Sequence, residues 1–550
     1  MLPLALLTVA QYALAQQAPS AGSQLQQIPP VPIPPVIAPS LPVEPARPTP
    51  SLTTGEPKIL VKSLLVTGAS LYSQDELVAL TGFVPGTELT LSDLRNMAHQ
   101  ITVHYRMQGY FVAEAYLPAQ DVQDHVLTIA VREGRYGEVR LRNQSTLADP
   151  VAFGLLDGLN SGDAISISPL ESRLLLLSDL PGVRVNSTLA PGAAAGTSDL
   201  LVDVTPGRMV TGSVDADNAG NRYTGEYRVG GTVNLNNLLG RGDVASLRGV
   251  TSGSGLKYLR ASYQMQFGKA RAGVAYSRLD YALGREFRSL QAHGSAKVFS
   301  LFGTYQLIRS RSSNLALQTS YDDKTFQDRV DSAPSVTDKK SRVLTVGLYG
   351  DHRDRVGGGG LNTYGLSLSA GHLDIQTPGV LAADAATAKT SGGFGRLSFN
   401  ASRLQQVGGP FSVYAGINGQ LASNNLDVSE KMGLGGMNAV RGYPEGEGYG
   451  DQGYIASVEA RALLPTGSIG IPGQMQAIAF VDTGSVTRNK NPWAAGPNTR
   501  SLSAAGIGLT WAVSSSFFAR TYYAQAIGNS PSTSAPHRSG RFWIQLVKYL

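Results

Sequence analysis

YLRASYQMQF, Tyr258 to Phe267, alternates without a break: Leu259, Ala261, Tyr263, Met265 and Phe267 fall on one side of an extended chain, and Arg260, Ser262, Gln264 and Gln266 on the other. Successive side chains of a strand point to opposite faces, so this is a strand with one apolar and one wet face. The pattern stands upstream as well, in TGEYRVGGTVNLNN, where Tyr227, Val229, Val233 and Leu235 alternate with Arg228, Thr232, Asn234 and Asn236. Such alternation fits a transmembrane barrel, apolar toward lipid and polar toward a wet lumen, and it also fits a soluble β-sandwich.

Three features decide for the barrel. The alternating runs continue from about Arg208 to the end of the 550-residue chain, far more than one sandwich needs. Their polar faces carry Arg, Gln and Asn, which suit water inside a pore. The chain also closes on such a strand, RFWIQLVKYL, with Phe542, Ile544, Leu546 and Leu550 on one face. At about 20 residues per strand with its connection, there is room for roughly 16 antiparallel strands. No run of 18 or more apolar residues follows the N-terminal segment, so a membrane crossing has to be made by a closed barrel.

Ahead of the barrel the period changes. KILVKSLLVTG reads as a strand, SQDELVAL as a short helix and TLSDLRNMAHQITVHYRMQG as a longer one, with Leu91, Leu94, Ala98, Ile101 and Tyr105 in one apolar stripe. Thr90 and Asp93 form a capping-box pattern and Gly109 stands where a C-terminal glycine belongs. YFVAEAYLP and HVLTIAVREG read as two further strands. A second unit of the same order has EVRLRN, the helix SPLESRLLLLSDL, VRVNSTLAPG and SDLLVDVTPG. The expected organisation is a signal peptide over 1–15, a proline-rich linker over 16–56, small α+β modules over 57–136 and 137–206, and the barrel over 207–550. The signal peptide rests on a short apolar run ending in Ala13, Leu14 and Ala15, a small-x-small cleavage pattern. The linker rests on QQIPPVPIPPVIAPSLPVEPARPTP, whose prolines favour extended backbone.

Composition excludes several classes. No cysteine is present, which removes disulfides, thiol catalysis and thiolate metal sites and suits a protein of an oxidising envelope compartment. The formal charge of +6 is not gathered into a basic cluster with aromatics, so no nucleic-acid footprint is expected. Histidines 99, 104, 125, 293, 352, 372 and 537 are scattered, and His99 and His104, five apart on a helix, face different ways. GEGYG lacks the strand and helix that would frame a dinucleotide loop, and neither G-x-S-x-G nor a P-loop occurs, so neither an enzyme nor a cofactor is expected.

The order of these segments resembles the two-partner secretion transporters of the ShlB/FhaC/HecB family, within the outer-membrane barrels that carry polypeptide-transport-associated (POTRA) domains. The resemblance runs from Pro57 onward. It is carried by LPAQDV (117–122), VREGRYGEVRL (131–141), LLLLSDLPGVRV (174–185), DNAGNRYTGEYRVGGTVNLNNLLGRGD (217–243), VRGY (440–443) and FVDTG (480–484). VRGY alone is weak, and ahead of an F-x-D-x-G strand in this architecture it is strong. The resemblance implies that the glycine-rich segment NAVRGYPEGEGYGDQGY (438–454) folds back into the barrel and that Arg441 meets Asp482 on the inner wall. Val440, Gly442, Tyr443, Phe480 and Gly484 complete the loop and wall motifs. A guanidinium can hold a carboxylate with two parallel hydrogen bonds, which lysine cannot.

The same resemblance implies a function. An unfolded exoprotein of the haemolysin or adhesin type would be captured in the periplasm by the POTRA modules and exported through the barrel to the cell surface. Strand pairing with a sheet edge would supply affinity, and Leu117, Gln120, Val131, Glu133 and Gly134 are the expected contacts. The chain is expected to work as a monomer in outer-membrane lipid. Some family members also plug the pore with an N-terminal helix; here proline density leaves room only for a short one, between Ser20 and Gln27. Two other classes stay open: an insertase that folds other barrels, which usually carries three to five POTRA units, and a passive solute channel, which would not need such modules.

Overall fold

The structure, a computed structural model, describes residues 19–32 and 56–550 apart from His537. The expected signal peptide and most of the proline-rich linker lie outside the described residues. Two compact units are present, one within Ala38–Gly207 and one formed by the N-terminal segment together with Arg208–Leu550.

The first unit holds both α+β modules. In the first, KILVKSLLVTG makes two strands: Ile59–Val61 pairs antiparallel with Thr87–Leu89, and Ser63–Thr67 pairs parallel with the strand Val126–Arg132. The break falls at Lys62, whose N–H donates to His125 O at 2.8 Å. The helix Leu91–Met107 is capped reciprocally, Thr90 N–H donating to Asp93 Oδ2 at 2.9 Å and Asp93 N–H to Thr90 Oγ1 at 3.1 Å. Leu94, Ala98, Ile101 and Tyr105 are buried against the sheet, whereas Leu91, in the first turn, is 42% exposed and lies outside that core. YFVAEAYLP yields only Glu114–Tyr116, which ends before Pro118, a residue with no N–H to continue the ladder.

The second module repeats the plan around the sheet of Arg135–Asn143, Thr197–Pro206 and Val183–Pro191, with helices Asp149–Leu156 and Ile167–Ser178. Its first strand begins at Arg135, two residues before the expected boundary at 137.

In the second unit, sixteen antiparallel strands close on themselves, from Val210–Asp217 to Gly540–Tyr549, the last pairing with the first from Gln545↔Asp217 to Tyr549↔Ser213. Closure leaves no sheet edge, as a membrane barrel requires. Val229, Leu259, Phe267, Phe542 and Leu550 are each more than half exposed on the outer face. Arg228, Thr232, Asn236 and Gln266 are buried on the inner one. There polar groups satisfy one another, as where Arg248 Nη1 donates to Asp215 Oδ1 at 3.0 Å and to Thr232 Oγ1 at 2.9 Å. Among the described residues no helix is long and apolar enough to cross a membrane.

The linker expectation needs one revision. Residues 21–26 form a helix that packs with the barrel unit. AGSQLQ lies ahead of the prolines, and its small N-terminal half is fully enclosed, with Ala21, Ser23 and Gln24 at most 3% exposed.

Candidate functional site

The segment between the eleventh barrel strand, Phe411–Ala422, and the twelfth, Gln452–Leu464, fills part of the lumen. Alternation along the thirteenth strand, Gln474–Thr487, turns Ile478, Phe480, Asp482, Gly484 and Val486 inward and leaves Val481 half exposed outside. F-x-D-x-G therefore puts its three named positions on one wall. Arg441 meets that wall with a fork: Nε donates to Asp482 Oδ2 at 2.8 Å and Nη2 to Asp482 Oδ1 at 2.7 Å. Its backbone N–H adds a third bond to Asp482 Oδ2 at 3.1 Å.

Around this pair stand, besides Phe480 of the wall motif, four residues that no short motif named: Ser457, Glu459, Tyr522 and Trp543. Ser457 on the neighbouring strand donates to Asp482 Oδ1 at 2.8 Å, and Glu459 lies 2.8 Å from Arg441 Nη1. The guanidinium carbon sits 3.4 Å from the Phe480 ring centroid and 4.8 Å from that of Tyr522, so one face of the cation rests on aromatic rings. Trp543 Nε1 donates to Arg441 O at 2.7 Å. Arg441 is 5% exposed and Asp482 fully buried. With two carboxylates, a hydroxyl and two rings about it, the guanidinium is satisfied on nearly every side, which offsets the cost of taking it out of water.

The other motif residues supply shape. Val440 and Tyr443 are fully buried with Leu434, Ile455 and Leu502, and the Tyr443 hydroxyl donates to Ser530 O at 2.9 Å. A Cβ at Gly442 would lie 2.7 Å from Ala504 Cβ, and one at Gly484 would lie 2.7 Å from Leu434 Cδ1. Both glycines are needed because loop and wall approach closely there.

The loop is held across the lumen at further points. Glu447 accepts from Arg500, from Thr533 N–H at 2.7 Å and from the Ser534 hydroxyl at 2.7 Å. At its base, Glu430 pairs with Lys324 at 2.6 Å and Arg396 at 3.1 Å, and Asp427 with Lys339 at 2.6 Å. Lys324 and Lys339 belong to the seventh and eighth strands, Ser313–Val330 and Ser335–Asp354, well around the closed barrel from the thirteenth strand that carries Asp482, so the loop is tied to separate walls. These partners were not legible in sequence, because each depends on register across strands far apart in the chain.

The helix Ala21–Gln26 rests on this loop. Gln26 Nε2 donates to Val428 O at 2.8 Å and Lys431 O at 2.9 Å, and Gln27 Nε2 to Tyr449 Oη at 2.6 Å. On the wall side Ala21 N–H donates to Asp328 Oδ1 at 2.8 Å, and Thr224 Oγ1 to Gln24 Oε1 at 2.6 Å. Ala21 packs with Tyr223, Leu279, Tyr281 and Phe326.

The family model described as haemolysin secretion/activation protein ShlB/FhaC/HecB matches residues 196–511, more than half of the chain, and the ShlB-type POTRA domain matches residues 59–134. The chain belongs to this family. It is 29% identical over 484 residues to the heme/hemopexin transporter protein HuxB of Haemophilus influenzae, covering 86% of this chain and 84% of that one. To the outer membrane transporter CdiB of Escherichia coli it is 26% identical, covering 84% and 79%. Among solved structures, CdiB from Escherichia coli superposes with a TM-score of 0.71 at 22% identity over 92% of this chain and 93% of that one. CdiB from Acinetobacter baumannii gives 0.61 at 17% over 99% and 96%. The protein is thus an outer-membrane translocator of the two-partner secretion type, with its POTRA domains in the periplasm. Transporters of this type pair with a secreted exoprotein.

The five module residues fall into two groups. Val131 is a core residue and Gly134 is buried in a turn at φ +71°, where a Cβ would lie 2.8 Å from Val112 Cγ1. Glu133 is 5% exposed and accepts from Ser70 N–H at 2.6 Å, Leu71 N–H at 2.7 Å and the Tyr105 hydroxyl at 3.1 Å. These three are enclosed by the module, where a passing chain does not reach them. Leu117 is half-buried against the core, and Gln120 alone is exposed.

Glu133 carries a pH prediction. Burial pushes its carboxyl pKa up, but the hydrogen bonds from Ser70, Leu71 and Tyr105 outweigh it and hold the group below the usual carboxylate range. A depressed folded value means that the stability is fully present above the unfolded value of about 4.3 and is lost as pH falls through the folded one. In thermal melts of the modules' transition, Glu133→Gln should lower Tm at neutral pH, and the gap from wild type should close below about pH 4. A gap that is constant with pH would show that the charge of Glu133 contributes nothing.

Proposed function

We propose that this protein exports one large exoprotein of the haemolysin or adhesin type, captured in extended form by the first POTRA module and passed through the barrel once the helix and the loop yield. What carries the reading is the way the lumen is occupied: the helix Ala21–Gln26 is held largely by a few polar, individually modest contacts, whereas the loop beneath it is held more firmly, by buried ion pairs and apolar packing. Intramolecular hydrogen bonds of this kind are worth about 0.5–1.5 kcal/mol each, so an occupant held by a few of them can be displaced by a polypeptide that binds elsewhere and then competes. The capture surface is the strand Ser63–Thr67. It is the outer strand of its sheet, Leu65 on it is 37% exposed, and Ile59, Leu80 and Val84 of the same module are exposed apolar side chains. An extended chain added there gains main-chain hydrogen bonds and apolar contact together. The barrel works as a monomer in outer-membrane lipid, since one chain closes it.

The relative named as a heme/hemopexin transporter makes a cargo concerned with heme or hemopexin a second cargo class. One experiment addresses both. With the gene deleted, surface and supernatant proteins are compared with wild type by mass spectrometry. Loss of a single large species is expected, and its sequence names the cargo. Loss of many barrels from the outer membrane instead would overturn export in favour of insertion.

A further inference from the structure

The two edges of the first module's sheet are finished differently, and the difference is made by two side chains. The sheet order is Ser63–Thr67, Val126–Arg132, Glu114–Tyr116. On the Glu114 side the ladder runs Glu114↔Arg132, Ala115↔Val131, Tyr116↔Ala130, so its continuation would set residue 118 opposite Thr128. Residue 118 is proline and cannot donate. Gln120 supplies what is missing: its Nε2 donates to Thr128 O at 2.7 Å and its Oε1 accepts from Thr128 N–H at 2.8 Å. The side-chain amide thus makes the two bonds that a paired strand residue would make.

The outer side of Glu114–Tyr116 is treated likewise. Ala115 stands opposite Val131 but, alternating with Glu114 and Tyr116, turns its N–H and C=O away from that strand. There Ala115 N–H donates to Thr102 Oγ1 at 2.9 Å, while the hydroxyl's own proton goes to Ala98 O at 3.1 Å, with Ala115 O farther off at 3.4 Å, so it is the edge donor that Thr102 covers. Thr102 comes from the helix Leu91–Met107 and is itself buried. Along Ser63–Thr67, by contrast, no strand and no side chain bonds to the outer edge among the described residues.

We infer that Gln120 and Thr102 are edge stops that leave the three-stranded sheet of the first POTRA module one open edge, Ser63–Thr67, so that this sheet takes up an extended polypeptide on that side alone. The inference rests on capture by strand addition, proposed above, and assigns the residues that decide where it happens. Unpaired strand edges recruit any extended chain, and covering one with side chains that satisfy its N–H and C=O groups removes it as a template. A module with two open edges could hold two segments of cargo, or the same segment in two places.

The test uses the full chain in lipid nanodiscs, a photo-reactive benzoylphenylalanine placed at Ser63 or at Ala119, and a biotinylated peptide of alternating threonine and valine as the extended probe. Wild type should cross-link from position 63 and not from 119. Gln120→Ala and, separately, Thr102→Val should each raise cross-linking from 119 severalfold, with faster deuterium exchange at the Thr128 amide in the first and the Ala115 amide in the second. Gln120→Glu, which keeps the acceptor for Thr128 N–H and loses the donor to Thr128 O, should fall between wild type and Gln120→Ala, and as an exposed substitution it guards against a folding defect. Silence from 119 in Gln120→Ala and Thr102→Val, despite faster amide exchange, overturns the inference whatever position 63 does. A new signal from 119 in the variants with none from 63 in wild type supports the stops and refutes capture along Ser63–Thr67.

Discussion

Arg441→Ala should leave a barrel that inserts and a loop that no longer stays in place, with secretion reduced at least tenfold. Asp482 would keep its burial and lose both arms of the fork, and removing one partner of a buried pair typically costs about 3–5 kcal/mol, because a charge is left uncompensated. At about 1.4 kcal/mol per factor of ten, the docked loop would lose roughly two to three and a half powers of ten in population. Glu459 would be left with Arg461, 2.7 Å away, so the damage centres on Asp482. Arg441→Lys keeps the charge and gives up the fork and the ring contact, and an intermediate loss is expected. Asp482→Ala alone should resemble Arg441→Ala, but the double variant should dock its loop better than either single one, because it buries no orphaned charge. The measurements are exoprotein in the supernatant and labelling of a single cysteine introduced at Gly448. Wild-type secretion from both single variants would remove the pair from the mechanism.

Removal of residues 19–28 should raise single-channel conductance in planar bilayers severalfold. That segment occupies lumen volume and is held by Asp328, Thr224, Val428, Lys431 and Tyr449, contacts that disappear with it. Gly22→Val tests the same point without deleting a polar partner. A Cβ at Gly22 would already lie 2.9 Å from Ser429 Cβ, so a branched side chain must push the helix off the loop. Conductance should then rise toward that of the deletion. If neither change alters conductance, the helix does not obstruct the path and the loop alone sets the resting state.

The pairs at Arg441 and at Gly22 differ in how visible they were. VRGY and FVDTG are short strings whose residues alternate or turn locally, so the resemblance could name Arg441 and Asp482 together. The residues AGSQLQ do not by themselves announce a lumen helix, and only the resemblance left room for a short one between Ser20 and Gln27: six residues are too few for an amphipathic pattern, and an isolated helix of that length is unstable in water. It exists because Ala21, Ser23 and Gln24 are enclosed by the barrel and loop. The first module shows the same division. Capping at Thr90 is local and was readable, whereas the split at Lys62 arises because each half of KILVKSLLVTG pairs with a different strand.

By itself the sequence determined the class of each segment: alternation that makes barrel strands, an apolar stripe that makes a module helix, and a barrel of about sixteen strands. Those properties depend on neighbours within a few residues. Only the tertiary structure decided which polar groups meet: Glu430 with Lys324 and Arg396, Gln26 with the Val428 and Lys431 carbonyls, and Gln120 with both groups of Thr128. The physical reason is register. A hydrogen bond needs its atoms within a few tenths of an ångström, and that placement is set by strand pairing and barrel closure across hundreds of residues.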